Sequence, residues 1–109
     1  MRLTSIPFYN IKNGNKTIEI RLFDEKRKNL RIGDNLIFNL KDSNENIKTK
    51  IINLKQFENF EKVYLYYPVN KYEKNHKNIK SAVDSMYKYY SKEDEEKFGV
   101  IVIEFKITS

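Results

Sequence analysis

The stretch GNKTIEIRLFDEKRKNLRIGD, Gly14 to Asp34, sets the frame for the chain. Within it Ile18, Ile20 and Leu22 alternate with Thr17, Glu19 and Arg21, the period-two pattern of a half-buried strand. The three polar residues are therefore expected to share one polar face, with Glu19 and Arg21 opening outward and not buried in the core. Asp24 to Leu30 follows as a short turn or helical stretch that carries Lys26, Arg27 and Lys28, with Arg31 just beyond. Gly33 and Asp34 then form a turn feeding a second strand through Leu36 and Phe38.

On the N-terminal side, Phe8 and Ile11 lie three apart in a segment that finishes on Gly14, the pattern of a short helix with a glycine C-cap and Pro7 in its first turn. On the C-terminal side, Ile47 to Phe57 reads as a third strand, and Glu58 to Tyr67 as a short helix ended by Pro68. Val69 to Lys77 reads as an exposed polar connection. Asn78 can cap a helix in which Ile79, Val83, Met86 and Tyr90 recur at helical steps. Ser91 and Asp94 form a capping-box pattern at the head of an acidic helix. Val100 to Ile107 is almost continuously apolar at first, as a strand covered on both faces must be. Strands in both halves with helices between them predict an α+β domain with the strands curled into a small, mostly antiparallel barrel.

With 109 residues the chain has room for one modest core, so a single domain over 1–109 is expected. Aromatic residues make up 14% of it and charged residues 33%, so Tyr and Phe must supply much of the buried area. The net charge of +6 favours an anionic partner, although a chain rich in Lys, Asn and Ile throughout reaches that charge by composition alone. The absence of cysteine excludes disulfides, Cys-ligated zinc and a thiol nucleophile. No signal pattern opens the chain and the apolar run at Val100 to Ile103 is too short to span a bilayer, so a cytoplasmic location is the default expectation. No metal-ligand spacing, EF-hand or phosphate loop occurs, and no cofactor is expected.

The segment FYNIKNGNKTIEIRLFDEKRKNLRIGDNLIF resembles the N-terminal signature of the ASCH domain family, a short helix leading to G-x-K-T-[IV]-E-x-R, a basic turn and G-D-x-[IL]-x-F. YYSKEDEEKFGVIVIEF is similar to that family's closing segment. The resemblance implies a barrel of the PUA-like type with an RNA-binding cleft beside the first strand. Within the family one branch hydrolyses 4-acetylcytidine nucleosides, ribonuclease activity is attributed to others, and some members resemble transcription coactivator modules. A fold hosts several activities, so the site must decide among them.

The expected ligand is RNA, or a nucleoside or nucleotide, held by Lys16, Thr17, Glu19 and Arg21 along the strand and by Lys26, Arg27, Lys28 and Arg31 in the turn. Cations suit phosphates, and the carboxylate and guanidinium suit base or ribose. Ordinary surface ion pairing is the plain alternative for the same residues. A hydrolase acting on a modified nucleoside or on RNA is the second reading, with Lys16 and Glu19 as its catalytic pair, and a protein-interaction module is the third. The hydrolytic branch carries Lys-x-x-Thr here; Lys16 matches the lysine, but Glu19 stands where the threonine would be. Thr17 is displaced from that place by two strand residues, about 6.5 Å. The resemblance offers Glu73 as a later acid. His76, in the polar connection, reads as a solvated loop residue, and the tyrosines of Tyr64 to Tyr67 and Tyr87 to Tyr90 as core packing more than as base-stacking platforms.

Overall fold

A computed structural model describes residues 1–67 and 78–108. In chain order its elements are β1 (Arg2–Leu3), α1 (Ser5–Lys12), β2 (Ile18–Leu22), β3 (Asn35–Leu40), β4 (Asn46–Phe57), α2 (Phe60–Tyr66), α3 (Ile79–Met86), α4 (Lys92–Phe98) and β5 (Val100–Ile107). The strands form one sheet in the order β1-β3-β4-β5-β2, antiparallel except for the β1–β3 pair. The sheet curls into a half-barrel, and the α+β, PUA-like architecture expected from the sequence is the one observed.

Strand β5 divides the interior. Val100 and Val102 face one core, built with Ile18, Ile20 and Leu22 of β2 and with Phe60, Val63 and Ala82 of the helices. Ile101, Ile103 and Phe105 face a second core inside the curl, with Leu36, Phe38, Ile47 and Ile51 of the sheet and Phe8 and Ile11 of α1. Burial on both faces explains the unbroken apolar run in β5. Strand β4 reverses its alternation at a register shift between Ile51 and Asn53. The added residue bends the strand and increases its twist, which closes the curl over the second core.

Local signals work as expected at the helix ends. The Asn78 side chain accepts a hydrogen bond from Ser81 N at 2.8 Å and the Ser91 hydroxyl accepts one from Asp94 N at 3.1 Å. Asn59 caps α2 in the same way. Gly14 follows α1 at φ 84° and donates to Ile11 O, the left-handed closure a glycine allows. Helix α3 stops at Met86, short of the expected Tyr90. The amides of Tyr87, Lys88 and Tyr89 turn to carbonyls three residues back, which tightens the backbone and lets the rings of Tyr87 and Tyr90 pack on Phe60. Strand β1, only two residues long, carries no period and is not readable from sequence. Pro68 and the polar connection from Val69 to Lys77 lie outside the described residues.

Candidate functional site

Among the described residues strand β2 is an edge of the sheet, paired only with β5, and its register settles where its polar residues go. Glu19 stands opposite Ile103 and Arg21 opposite Ile101, both members of the core inside the curl. The face expected to be open is thus the inner face. Glu19 is 6% exposed and Lys16 8%, which corrects the expectation that this face opens away from the core. The physical reason is the curl: residues alternating with a buried row point to solvent on a flat sheet, but into the concavity on a curled one.

The burial is offset by pairing. Lys16 Nζ lies 3.5 Å from Glu19 Oε1, and Arg21 Nη2 lies 3.7 Å from Glu19 Oε2. Ile20 N donates to Glu19 Oε1 at 3.0 Å, and Lys16 N donates to Asn10 O at 2.9 Å, anchoring the segment on α1. Among the described residues three buried polar atoms of this neighbourhood have no hydrogen-bond partner: Glu19 Oε2, Arg21 Nε and Asp24 Oδ1. Burial works to lower the Arg21 pKa, but Glu19, the Tyr90 hydroxyl and Asp24 outweigh it and the net displacement is upward. The guanidinium is a fixed charge.

Beside this cluster a groove of about 340 Å³ opens between the 23–30 turn and β4. Phe23, Leu30, Leu54 and Ile101 give it an apolar floor, Arg27, Lys28 and Lys55 a basic rim, and Gln56 an amide. Ile101, in the floor, pairs with Arg21 on one side and Gln56 on the other, so groove and cluster adjoin across three strands. The Met1 amino group feels both: its pKa is lowered by burial and then by Arg21 and Arg27, against Glu19. A second hollow, of about 410 Å³, is lined among the described residues by Asn78, Lys80, Ser81, Asp84, Ser85 and Lys88, a polar helix surface of mixed charge.

Of the residues singled out by sequence, the fold gathers Lys16, Glu19 and Arg21 into the cluster and Arg27 and Lys28 onto the groove. Thr17, Lys26 and Arg31 are exposed and line neither. Arg27 and Lys28 also have carboxylate neighbours, Asp24 at 3.8 Å and Glu25 at 2.9 Å. Glu73 and His76 lie outside the described residues. Sequence reasoning missed Leu54, Lys55 and Gln56, because the β4 bulge that re-aims them leaves no mark in the alternation. Tyr90, read from sequence as core packing, stacks on Phe60 at 5.7 Å between centroids and also reaches Arg21. Among the described residues no group of His, Cys, Asp or Glu is placed to hold a metal ion, and no helix is long and apolar enough to cross a membrane.

The curled five-strand half-barrel of the described residues, with its four short helices, is a PUA-like fold, and the Lys16-Glu19-Arg21 cluster and the basic groove lie beside its strand β2. The chain belongs to the ASCH domain family, whose model matches residues 1–109. It is similar to the crystal structure of hypothetical protein PH0355, with 29% identity, a TM-score of 0.87 and coverage of 99% of this chain and 96% of that one. It also shares the fold of the solution structure of protein PF0455 from Pyrococcus furiosus, at 24% identity and a TM-score of 0.75, covering 100% and 99% of the two chains. No curated protein matches the chain.

Proposed function

We propose that the domain binds RNA or a modified nucleoside in the cleft formed by Lys16, Glu19 and Arg21 and the adjoining groove. The observation that carries this reading is a trio of buried atoms without a hydrogen bond among the described residues, Arg21 Nε and the carboxylate oxygens Glu19 Oε2 and Asp24 Oδ1, the latter two having only ion-pair neighbours at 3.7 and 3.8 Å. Buried polar atoms left without partners are costly, and a ligand presenting a donor beside an acceptor, as a nucleobase or ribose edge does, would satisfy them. The apolar floor with Phe23 suits a base, and Arg27, Lys28 and Lys55 suit the phosphates.

The test is titration of the pure protein with short single-stranded RNA and with a panel of nucleosides that includes 4-acetylcytidine, separating products after each titration. Neutralising about three phosphates predicts a log–log salt slope of about −2. Arg27→Glu with Lys28→Glu should flatten that slope, and Glu19→Gln should weaken nucleoside binding. Binding indifferent to salt and to all three substitutions would overturn the proposal. Hydrolysis is the second reading, favoured by the one carboxylate oxygen of Glu19 that has no hydrogen bond. Water would add to the acetyl carbonyl while Glu19 takes its proton and returns it to the departing amine, releasing acetate. Turnover that Glu19→Gln abolishes would select this reading.

A further inference from the structure

The sheet has an outer face as well as the concave one, and among the described residues the helices cover only part of it. Val100 and Val102 of β5 lie under α2 and α3. Farther along the same face the strands carry Lys106 on β5, Lys48 and Lys50 on β4, and Asn35, Ile37 and Asn39 on β3, all exposed. Lys50 stands directly opposite Lys106 in the ladder, with Asn35 on its other side, and Lys48 stands opposite Ile37. Like charges placed opposite one another on a sheet destabilise it. Among the described residues none of these lysines has an ion pair. Glu104, two residues before Lys106 on the same face of β5, accepts hydrogen bonds from Asn53 Nδ2 at 2.8 Å and from the Tyr67 hydroxyl at 3.1 Å.

We propose that this outer face of β3, β4 and β5 is a second RNA-binding surface, which holds the phosphate backbone and reads no base. The complement of a self-repelling row of lysines flanked by amides is a polyanion with regularly spaced charges. Lys48 and Lys50, two residues apart on one strand, are separated by about 6.6 Å, a step a nucleic-acid backbone can follow. Among the described residues the strand positions around these lysines carry no aromatic side chain, and Ile37 at 42% exposure offers contact area without stacking. The choice of RNA among polyanions rests on the reading of the cleft; the surface itself lies on the opposite side of the sheet from it. A strand long enough to pass around the domain would engage both faces, whereas a tetranucleotide would reach the groove alone.

The experiment compares the native chain with the triple variant Lys48→Gln, Lys50→Gln, Lys106→Gln, using an unstructured RNA of about 20 nucleotides, a tetranucleotide, and polyglutamate of matching charge. Loss of three phosphate contacts predicts a salt slope for the longer RNA shallower by about 2 and at least a tenfold weaker affinity at low salt. Tetranucleotide binding should be unchanged, and the melting temperature should hold or rise as the repulsion is removed. The proposal is overturned if the longer RNA binds the variant as tightly as the native chain, if the variant loses the tetranucleotide equally, or if polyglutamate binds as tightly as RNA. The variant with Arg27→Glu and Lys28→Glu separates the two sites: if it leaves the tetranucleotide bound, the groove reading fails, while the long-RNA comparison still reports on the outer face.

Discussion

Arg21 Nη2 lies 3.7 Å from Glu19 Oε2, yet that oxygen and Arg21 Nε both lack a hydrogen bond. The pair is held by charge at a distance beyond good hydrogen bonding, with Lys16 on the other carboxylate oxygen. Deleting the carboxylate would leave Lys16 and Arg21 facing each other without compensation in a largely dry site. Glu19→Ala should therefore cost about 3 kcal/mol in chemical denaturation, and Glu19→Gln less, since it keeps the acceptor for Ile20 N. Glu19→Thr would be a mild change on an exposed strand face, but at this buried position it should destabilise nearly as much as alanine. A denaturation midpoint for Glu19→Ala equal to the native one would show that the cluster contributes nothing to folding.

A second prediction concerns Gly99, which enters β5 at φ 70°. A Cβ there would stand 3.2 Å from Phe57 O, too near a backbone atom to be relieved by a side-chain shift. Gly99→Ala should cost about 1 to 2 kcal/mol. Gly99 O also accepts from Phe23 N at 3.0 Å, so the strain reaches the groove floor. Ligand affinity should fall together with the melting temperature, which calorimetry and titration on the same sample would show.

Glu95 provides a control remote from the cleft. It is buried, with Oε2 accepting from Phe60 N at 2.9 Å and Oε1 from the Tyr87 hydroxyl at 2.7 Å, and so fastens α4 to α2 and to the turn after α3. Hydrogen bonds to an ionised acceptor are worth more than neutral ones, and Glu95→Ala strands two donors. A loss of about 3 kcal/mol is expected, with RNA affinity unchanged at temperatures where the variant is folded. Reduced affinity in a fully folded variant would contradict the separation of scaffold and site.

The same contact sets a pH dependence. Burial, followed by the hydrogen bond to Glu95 and its charge, pushes the Tyr87 hydroxyl up from 10.0 to about 12. The folded state then holds its proton where the unfolded chain has lost it, so this contribution is complete below pH 10 and is lost as pH rises through about 12. Tyr87→Phe should make the fall in melting temperature over that window shallower. Tyr67, raised in the same sense by burial and Glu104, should titrate well above an ordinary tyrosine. Ultraviolet titration of native and variant proteins checks both statements.

The elements themselves were legible because they rest on local physics. Alternation at Ile18, Ile20 and Leu22, the caps at Asn78 and Ser91, and the doubly covered run at Val100 to Ile103 each reflect a period or a terminal hydrogen bond that a few neighbouring residues decide. Lys16, Glu19, Arg21, Arg27 and Lys28 could be singled out for the same reason, as charge gathered on and just after one strand. What those residues face was decided by tertiary structure. An alternating strand records that its two sides differ, but both sides of β2 meet protein here: Ile20 packs under the helices, while Glu19 enters the curl opposite Ile103. The groove needed the β4 register shift between Ile51 and Asn53, which brings Leu54 and Gln56 to the concave side. A bulge depends on pairing with a strand some fifty residues away in sequence, and no local pattern of side chains encodes that pairing.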